Sequence, residues 1–103
     1  MSPDLTVGKG VIDETVRLAA LAIPGVARVS RGGPGWRVAL AGSPIVTQVT
    51  ADGVRVRVWI VARPGQALTQ LGQQVRVAVG AAVERLLDLR LESVTVTVDG
   101  VGA

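Results

Sequence analysis

An alternating run of apolar and polar residues, which follows an Asp-Gly pair, constrains the fold of this chain more than any other feature. Residues 54–63 place Val, Ile or Ala at every second position, the period of a strand with one buried face. Another β-rich run, 45–51, precedes Asp52-Gly53, and this dipeptide favours a type I′ turn because both positions tolerate positive φ. The sequence therefore predicts a β-hairpin at this point.

Two segments show the three- and four-residue spacing of apolar positions that is typical of helices. The longer covers 67–87. The shorter covers 14–23; it follows Asp13, whose carboxylate is suited to cap a first turn, and Pro24-Gly25 ends it. The remaining β-rich segments predict a short strand at 11–12, a candidate hairpin with strands 26–30 and 36–40, and a last strand at 91–98.

The predicted order, roughly β-α-β-β-β-β-α-β, indicates an α+β fold. We expect a two-layer sandwich with a mainly antiparallel or mixed sheet and two helices. The 103 residues suffice for one core, which valine, leucine, isoleucine and alanine must fill because the chain has no Phe or Tyr. We expect a flexible N-terminus over 1–7, a single domain over 8–99 and a tail over 100–103.

The missing residue types exclude most catalytic chemistry. The chain has no Cys, so it lacks thiolates. It also has no His, which is the commonest metal ligand and the commonest general base. Gly8-Lys9-Gly10 does not match a phosphate loop, which needs Ser or Thr after the lysine. Glu84 and Asp88 are four residues apart, on one helix face, and a solvated charge cluster explains them. We expect no enzyme, no catalytic residue, no cofactor and no metal site.

The polar side of the predicted strand 54–63 is the candidate contact face. Its members are Arg55, Arg57, Trp59, Val61 and Arg63. Three interpretations stay open. The face is an ordinary solvent face, with Trp59 exposed or buried beneath the loop 32–35; it is a protein contact face, since Trp and Arg are enriched at interfaces; or it binds nucleic acid through arginines on phosphates and Trp59 on a base.

Charge and hydropathy bear on the partner and the compartment. The net charge of +3 permits an anionic partner without requiring one. No run of apolar residues reaches the length of a membrane span, and the first residues do not resemble a signal peptide. We therefore expect the protein to stay on the side of the membrane where it is made.

The order of motifs resembles the alkaline shock protein family of Gram-positive bacteria, also called Gls-type general stress or envelope stress response proteins. The matching motifs span most of residues 8–101: Gly8-Lys9-Gly10-Val11-Ile12, Ile23-Pro24-Gly25-Val26, Asp52-Gly53-Val54, Pro64-Gly65, Gln74-Val75, Val83-Glu84 and Val94-Thr95-Val96-Thr97-Val98.

The resemblance implies a non-enzymatic, cytoplasmic protein that takes part in cell-envelope homeostasis. It also implies self-association into a homo-oligomer and attachment at the membrane through a protein partner that has its own membrane segment. The alternative function, which the residues leave open, is a small basic nucleic-acid-binding module that uses the Arg and Trp side chains of the candidate contact face.

Overall fold

The computed structural model describes residues 8–102, which form helices and strands around a single four-stranded sheet. The helices are α1 (Lys9–Leu21), α2 (Gly35–Ala41) and α3 (Leu68–Ala81), and a π-helical turn, Ala82–Leu86, continues α3. The strands are β1 (Val26–Val29), β2 (Ile45–Thr50), β3 (Gly53–Ala62) and β4 (Leu91–Val101).

Strand β3 is the centre of the sheet. Strand β4 pairs with it in parallel along one edge, and α3 supplies the crossover that a parallel pair requires. Along the other edge, β2 and β1 lie end to end, both antiparallel to β3. Strand β2 covers the first part of β3 up to Val58, and β1 covers Ile60 to Ala62. The sheet is therefore mixed.

Helices α1 and α3 form the second layer, on one face of the sheet. Each helix buries side chains at a four-residue spacing, which places them on one side of the helix. These are Ile12, Val16 and Ala20 in α1, and Leu71, Val75 and Val79 in α3. They pack against the alternating residues of β3, namely Val54, Val56, Val58, Ile60 and Ala62. The predicted two-layer α+β sandwich is confirmed.

The first helix begins earlier than the sequence predicts. Gly8 is its N-cap, and the predicted strand at 11–12 is wrong because both residues lie in the first turns of α1. Ile12 is buried in the core, so packing favours a helix there. Asp13, the predicted cap, lies inside the helix, where it accepts a hydrogen bond from the Thr47 hydroxyl at 2.9 Å and pairs with Lys9 at 3.7 Å.

The predicted strand at 36–40, and with it the predicted hairpin over 26–40, is also wrong. These residues form α2, a third helix in which no residue is buried. Within the described residues β1 pairs only with β3, and no second strand joins it in a hairpin. Pro34 precedes the helix, and a short apolar run such as 36–40 does not distinguish helix from strand by its period.

The hairpin of β2 and β3 is present, but its turn lies one residue earlier than predicted. Thr50 pairs with Gly53, so residues 51–52 form the turn. Gly53 is the first residue of β3 and has a φ of 133°, which favours glycine. A Cβ atom there would also collide with the backbone carbonyl of Arg90.

At the C-terminal end of the chain, β4 extends to Val101, into the predicted tail. The predicted flexible N-terminus, 1–7, lies outside the described residues.

Candidate interaction surface

The sheet has a second face, turned away from α1 and α3, which we call the outer face. On β3 it carries the residues between those of the core, starting with Arg55 and Arg57. Residues that pair across neighbouring strands lie on the same face, so the register identifies the rest. It places Gln48 and Ser93 beside Arg55, Val46 and Thr95 beside Arg57, and Thr97 beside Trp59.

Trp59 lies on the outer face but is covered. Its exposed fraction is 9%, and it is not part of the core cluster beneath the helices. The guanidinium carbon of Arg31 lies 3.5 Å from the centroid of the Trp59 ring, and that of Arg57 lies 5.0 Å from it. Both cations are placed to interact with the electron-rich ring. Trp59 is thus a buried platform that holds two arginines.

The loop after β1 crosses the outer face beside Trp59 and contacts β4. The backbone amide of Gly32 donates a hydrogen bond to Oδ2 of Asp99 at 2.8 Å. The loop approaches so closely that a Cβ atom on Gly32 would collide with the carbonyl oxygen of Asp99. Arg31, on the same loop, donates from Nε to the carbonyl oxygen of Ser43 at 3.3 Å. Arg31 therefore links the outer face to the start of β2.

The five residues of the predicted contact face have different environments. Arg55 and Arg57 are exposed, whereas Trp59 and Val61 are buried, Val61 with an exposed fraction of 2%. Arg63 is exposed beyond the end of β3, and its Nε donates to the carbonyl oxygen of Pro24 at 3.0 Å. Of the predicted set, only Arg55 and Arg57 therefore lie together on the open part of the outer face.

A shallow recess of about 290 Å³ occupies that open part. It is lined by two guanidinium groups, two hydroxyl groups, one amide and one valine: Arg55, Arg57, Ser93, Thr95, Gln48 and Val46. Most of these groups donate hydrogen bonds, so the recess suits a partner that presents carboxylates and other acceptors.

Arg55 and Arg57 differ in how their charge is balanced. Arg55 pairs with Glu92 at 2.8 Å, and the Thr50 hydroxyl donates to the second Glu92 oxygen, also at 2.8 Å. The hydrogen bond from Arg55, followed by that from Thr50, lowers the pKa of Glu92, and the bond to Glu92 raises the pKa of Arg55. No such pair is present for Arg57 within residues 8–102.

The sequence did not identify several members of this surface. Arg31 was missed because nothing in the local sequence places a loop arginine on a tryptophan 28 positions later. Gln48, Ser93 and Thr95 could have been found from the alternation of their own strands, but only with the register to β3 in hand. The sequence alone does not show that β4 is parallel to β3.

Between residues 8 and 102 there is no group of three or more Asp, Glu, His or Cys side chains that could hold a metal ion. Asp88 follows the π-helical turn with a φ of 52°, so it does not share a helix face with Glu84 as the spacing predicts. None of the described helices is long and apolar enough to cross a bilayer.

Comparison with known proteins identifies a family for the chain. Residues 2–103 match the family of alkaline shock protein 23, which is described as having a cell envelope-related function. No curated protein sequence matches the chain.

Solved structures similar to this one include several of the MamM CTD. A zinc form of a MamM CTD variant has a TM-score of 0.60 at 19% sequence identity, over 91% of this chain and 87% of that chain. A copper form has a TM-score of 0.59 at 19% identity, over 90% of this chain and 98% of that chain. A third variant has a TM-score of 0.58 at 20% identity, over 88% and 94%. At this identity the likeness shows a shared α+β fold.

Proposed function

This chain belongs to the family of alkaline shock protein 23, and from that membership we propose that it is a non-catalytic interaction protein of the cell envelope. The resemblance seen in its sequence motifs is confirmed by the family match. In this proposal the protein self-associates and docks a membrane-anchored partner at the cytoplasmic side of the membrane. The open part of the outer face, around Arg57, is the contact surface.

One observation carries the choice of surface. Arg57 is an exposed arginine held near Trp59, and within residues 8–102 no carboxylate lies within 4.0 Å of its guanidinium group. Its neighbour Arg55 already has Glu92 as a partner. A cation that is fixed in position but lacks an internal anion gains most from an anion on another molecule, because little side-chain freedom is lost on binding.

The rest of the recess defines the chemistry of the partner. Ser93, Thr95 and Gln48 surround Arg57 with hydrogen-bonding groups, and Val46, 38% exposed, is the only apolar side chain among them. Such a surface fits an acidic, polar protein segment better than a hydrophobic helix. We therefore propose that the docking segment of the partner carries Asp or Glu side chains.

The edge of the sheet supports self-association. Within the described residues, β4 pairs only with β3, so its other edge has free backbone amide and carbonyl groups. Between Val94 and Val98 that strand carries no charged residue. Sheet edges without charges or prolines readily pair with a second strand. Edge-to-edge pairing of two copies through β4 would leave the recess on each outer face accessible.

Capture of the partner from detergent-solubilised native membranes tests this proposal. The tagged chain with Arg57→Glu is expected to retain at least about tenfold less partner than wild type, because a reversed charge opposes the acidic segment. Arg76→Glu makes the same change on an exposed position of α3, in the helical layer, and is expected to leave capture unchanged. Equal capture by all three proteins would contradict the assignment of the outer face.

Nucleic acid binding has less support. That alternative requires an open tryptophan face on which a base can stack. Trp59 is 9% exposed and has Arg31 at 3.5 Å from its ring centroid, so it offers no such face.

A further inference from the structure

Helix α2 lies in the segment that connects β1 to β2, most of which is exposed; we call residues 31–43 the α2 projection. Its base is closed by the hydrogen bond from Arg31 to the Ser43 carbonyl. Trp36 is 70% exposed and Leu40 is 81% exposed, and no residue of α2 is buried. Because they are four positions apart, Trp36 and Leu40 lie on the same side of the helix.

The composition of α2 is unusual for an exposed helix. Its sequence is Gly-Trp-Arg-Val-Ala-Leu-Ala, so Arg37 is its only polar residue. A surface helix that covers its own domain, or that docks into a protein groove, presents one apolar stripe and an opposite polar face. Helix α2 lacks the polar face. Its apolar side chains, Trp36 and Leu40 above all, are therefore left exposed to solvent.

The charged residues of the sequence around the α2 projection have one sign. No Asp or Glu occurs anywhere in residues 15–51, whereas arginine occurs at positions 17, 28, 31 and 37. Arg31 and Arg37 are themselves part of the projection. The carboxylate of Asp99, from β4, contacts the base of the projection at the Gly32 amide. Apolar side chains that include tryptophan, combined with arginines in a segment that has no carboxylate of its own, are the features of segments that lie in the interface of an anionic bilayer.

We propose that the α2 projection inserts into the headgroup layer of an anionic lipid membrane. Trp36 and Leu40 enter the boundary between headgroups and acyl chains, while Arg37 stays at the level of the lipid phosphates. This contact does not depend on the membrane-anchored partner of the proposed function. A single small insertion binds weakly and reversibly, so it adds to a protein contact or to the combined binding of several copies.

Vesicle binding of the purified chain tests the proposal without any partner. The chain has only two tryptophans, and Trp59 is buried, so a lipid-induced change in emission reports on Trp36. With phosphatidylglycerol vesicles we expect a blue shift and quenching by brominated acyl chains. Binding to phosphatidylcholine vesicles is expected to be at least about tenfold weaker, and salt is expected to weaken binding to phosphatidylglycerol.

Variants of exposed residues identify the inserting side chains. Trp36→Ala is expected to weaken binding to phosphatidylglycerol vesicles about tenfold in cosedimentation, and Leu40→Ala about fivefold, because each removes apolar surface from the inserted side of α2. Leu18→Ala is the matched control, since Leu18 is 59% exposed on α1. Circular dichroism establishes that the variants are folded.

Three results would overturn the proposal. The first is an absence of wild-type binding to either kind of vesicle. The second is an equal loss of binding for Leu18→Ala and Leu40→Ala. The third is a blue shift of Trp36 emission that appears without lipid as the protein concentration rises, which would show that a second copy of the chain covers α2. Loss of partner capture by Arg57→Glu affects none of these readouts, so the two proposals fail separately.

Discussion

Replacing Trp59 with alanine is expected to lower the free energy of unfolding by about 4 kcal/mol, within the usual range for removing a buried tryptophan. The side chain is 9% exposed and supports the guanidinium groups of Arg31 and Arg57. Its removal leaves a cavity and frees the loop that Arg31 fixes. Because domains of this size are stable by only about 5–15 kcal/mol, urea denaturation followed by circular dichroism will detect the loss.

The other tryptophan provides the control for this prediction. Trp36 is 70% exposed on α2, so Trp36→Ala is expected to change the free energy of unfolding by less than about 0.5 kcal/mol. Similar losses for the two variants, or a small loss for Trp59→Ala, would contradict the burial of Trp59 on the outer face.

Gly32→Ala is expected to cost about 3 kcal/mol of unfolding free energy, near the upper end of the range for overpacking in a protein interior. The added Cβ atom would overlap the carbonyl oxygen of Asp99, which belongs to the backbone of β4 and cannot rotate away. Either the loop or the strand must move, and the hydrogen bond from the Gly32 amide to Asp99 is then lost. For a domain of this size the loss corresponds to a decrease in Tm of roughly 15 °C.

Gly35→Ala is the matched control for the loop. Gly35 is the first residue of α2, and a Cβ atom built there meets nothing within 4 Å. This substitution is expected to be neutral within about 0.5 kcal/mol, since alanine suits a helix at least as well as glycine. If Gly32→Ala is as stable as Gly35→Ala in thermal denaturation, that result would contradict the close contact between Gly32 and Asp99 of β4.

The sequence predicts the sandwich correctly because its main signals are strong and local. Alternation from Val54 onward defines the core face of β3, and the spacing of Leu71, Val75 and Val79 defines the buried side of α3. Each pattern reflects a single element that packs against one flat layer. The element order is also constrained by the Pro-Gly pairs that end α1 and β3.

The sequence does not predict features that depend on contacts between distant segments. The apolar run 36–40 fits a short strand as well as a helix, and its local period does not decide between them. Trp59 continues the alternation of Arg55 and Arg57, and the sequence leaves open whether it is exposed or buried beneath the loop 32–35. In the structure Arg31, on the loop after β1, covers it. The environment of a side chain on a regular strand thus depends on which loop crosses that strand.

Burial of Trp59 changes the expected nature of the contact surface. Read as a contact face, the predicted set combines Trp59 with the arginines around it. In the structure, Trp59 instead lies beneath Arg57 and Arg31, and the open part of the outer face consists of guanidinium, hydroxyl and amide groups. We therefore expect recognition through charge and hydrogen bonds, with a strong dependence on salt.

Site-specific photo-cross-linking in living cells tests the central claim most directly. A benzophenone amino acid is introduced at Gln48, on the outer face, or at Gln74, on α3; both are exposed glutamines on regular elements. If the outer face is the contact surface, irradiation will join the Gln48 variant to a membrane protein and leave the Gln74 variant without that product. Cross-linking of the same membrane protein from Gln74 but not from Gln48 would contradict the proposed contact surface.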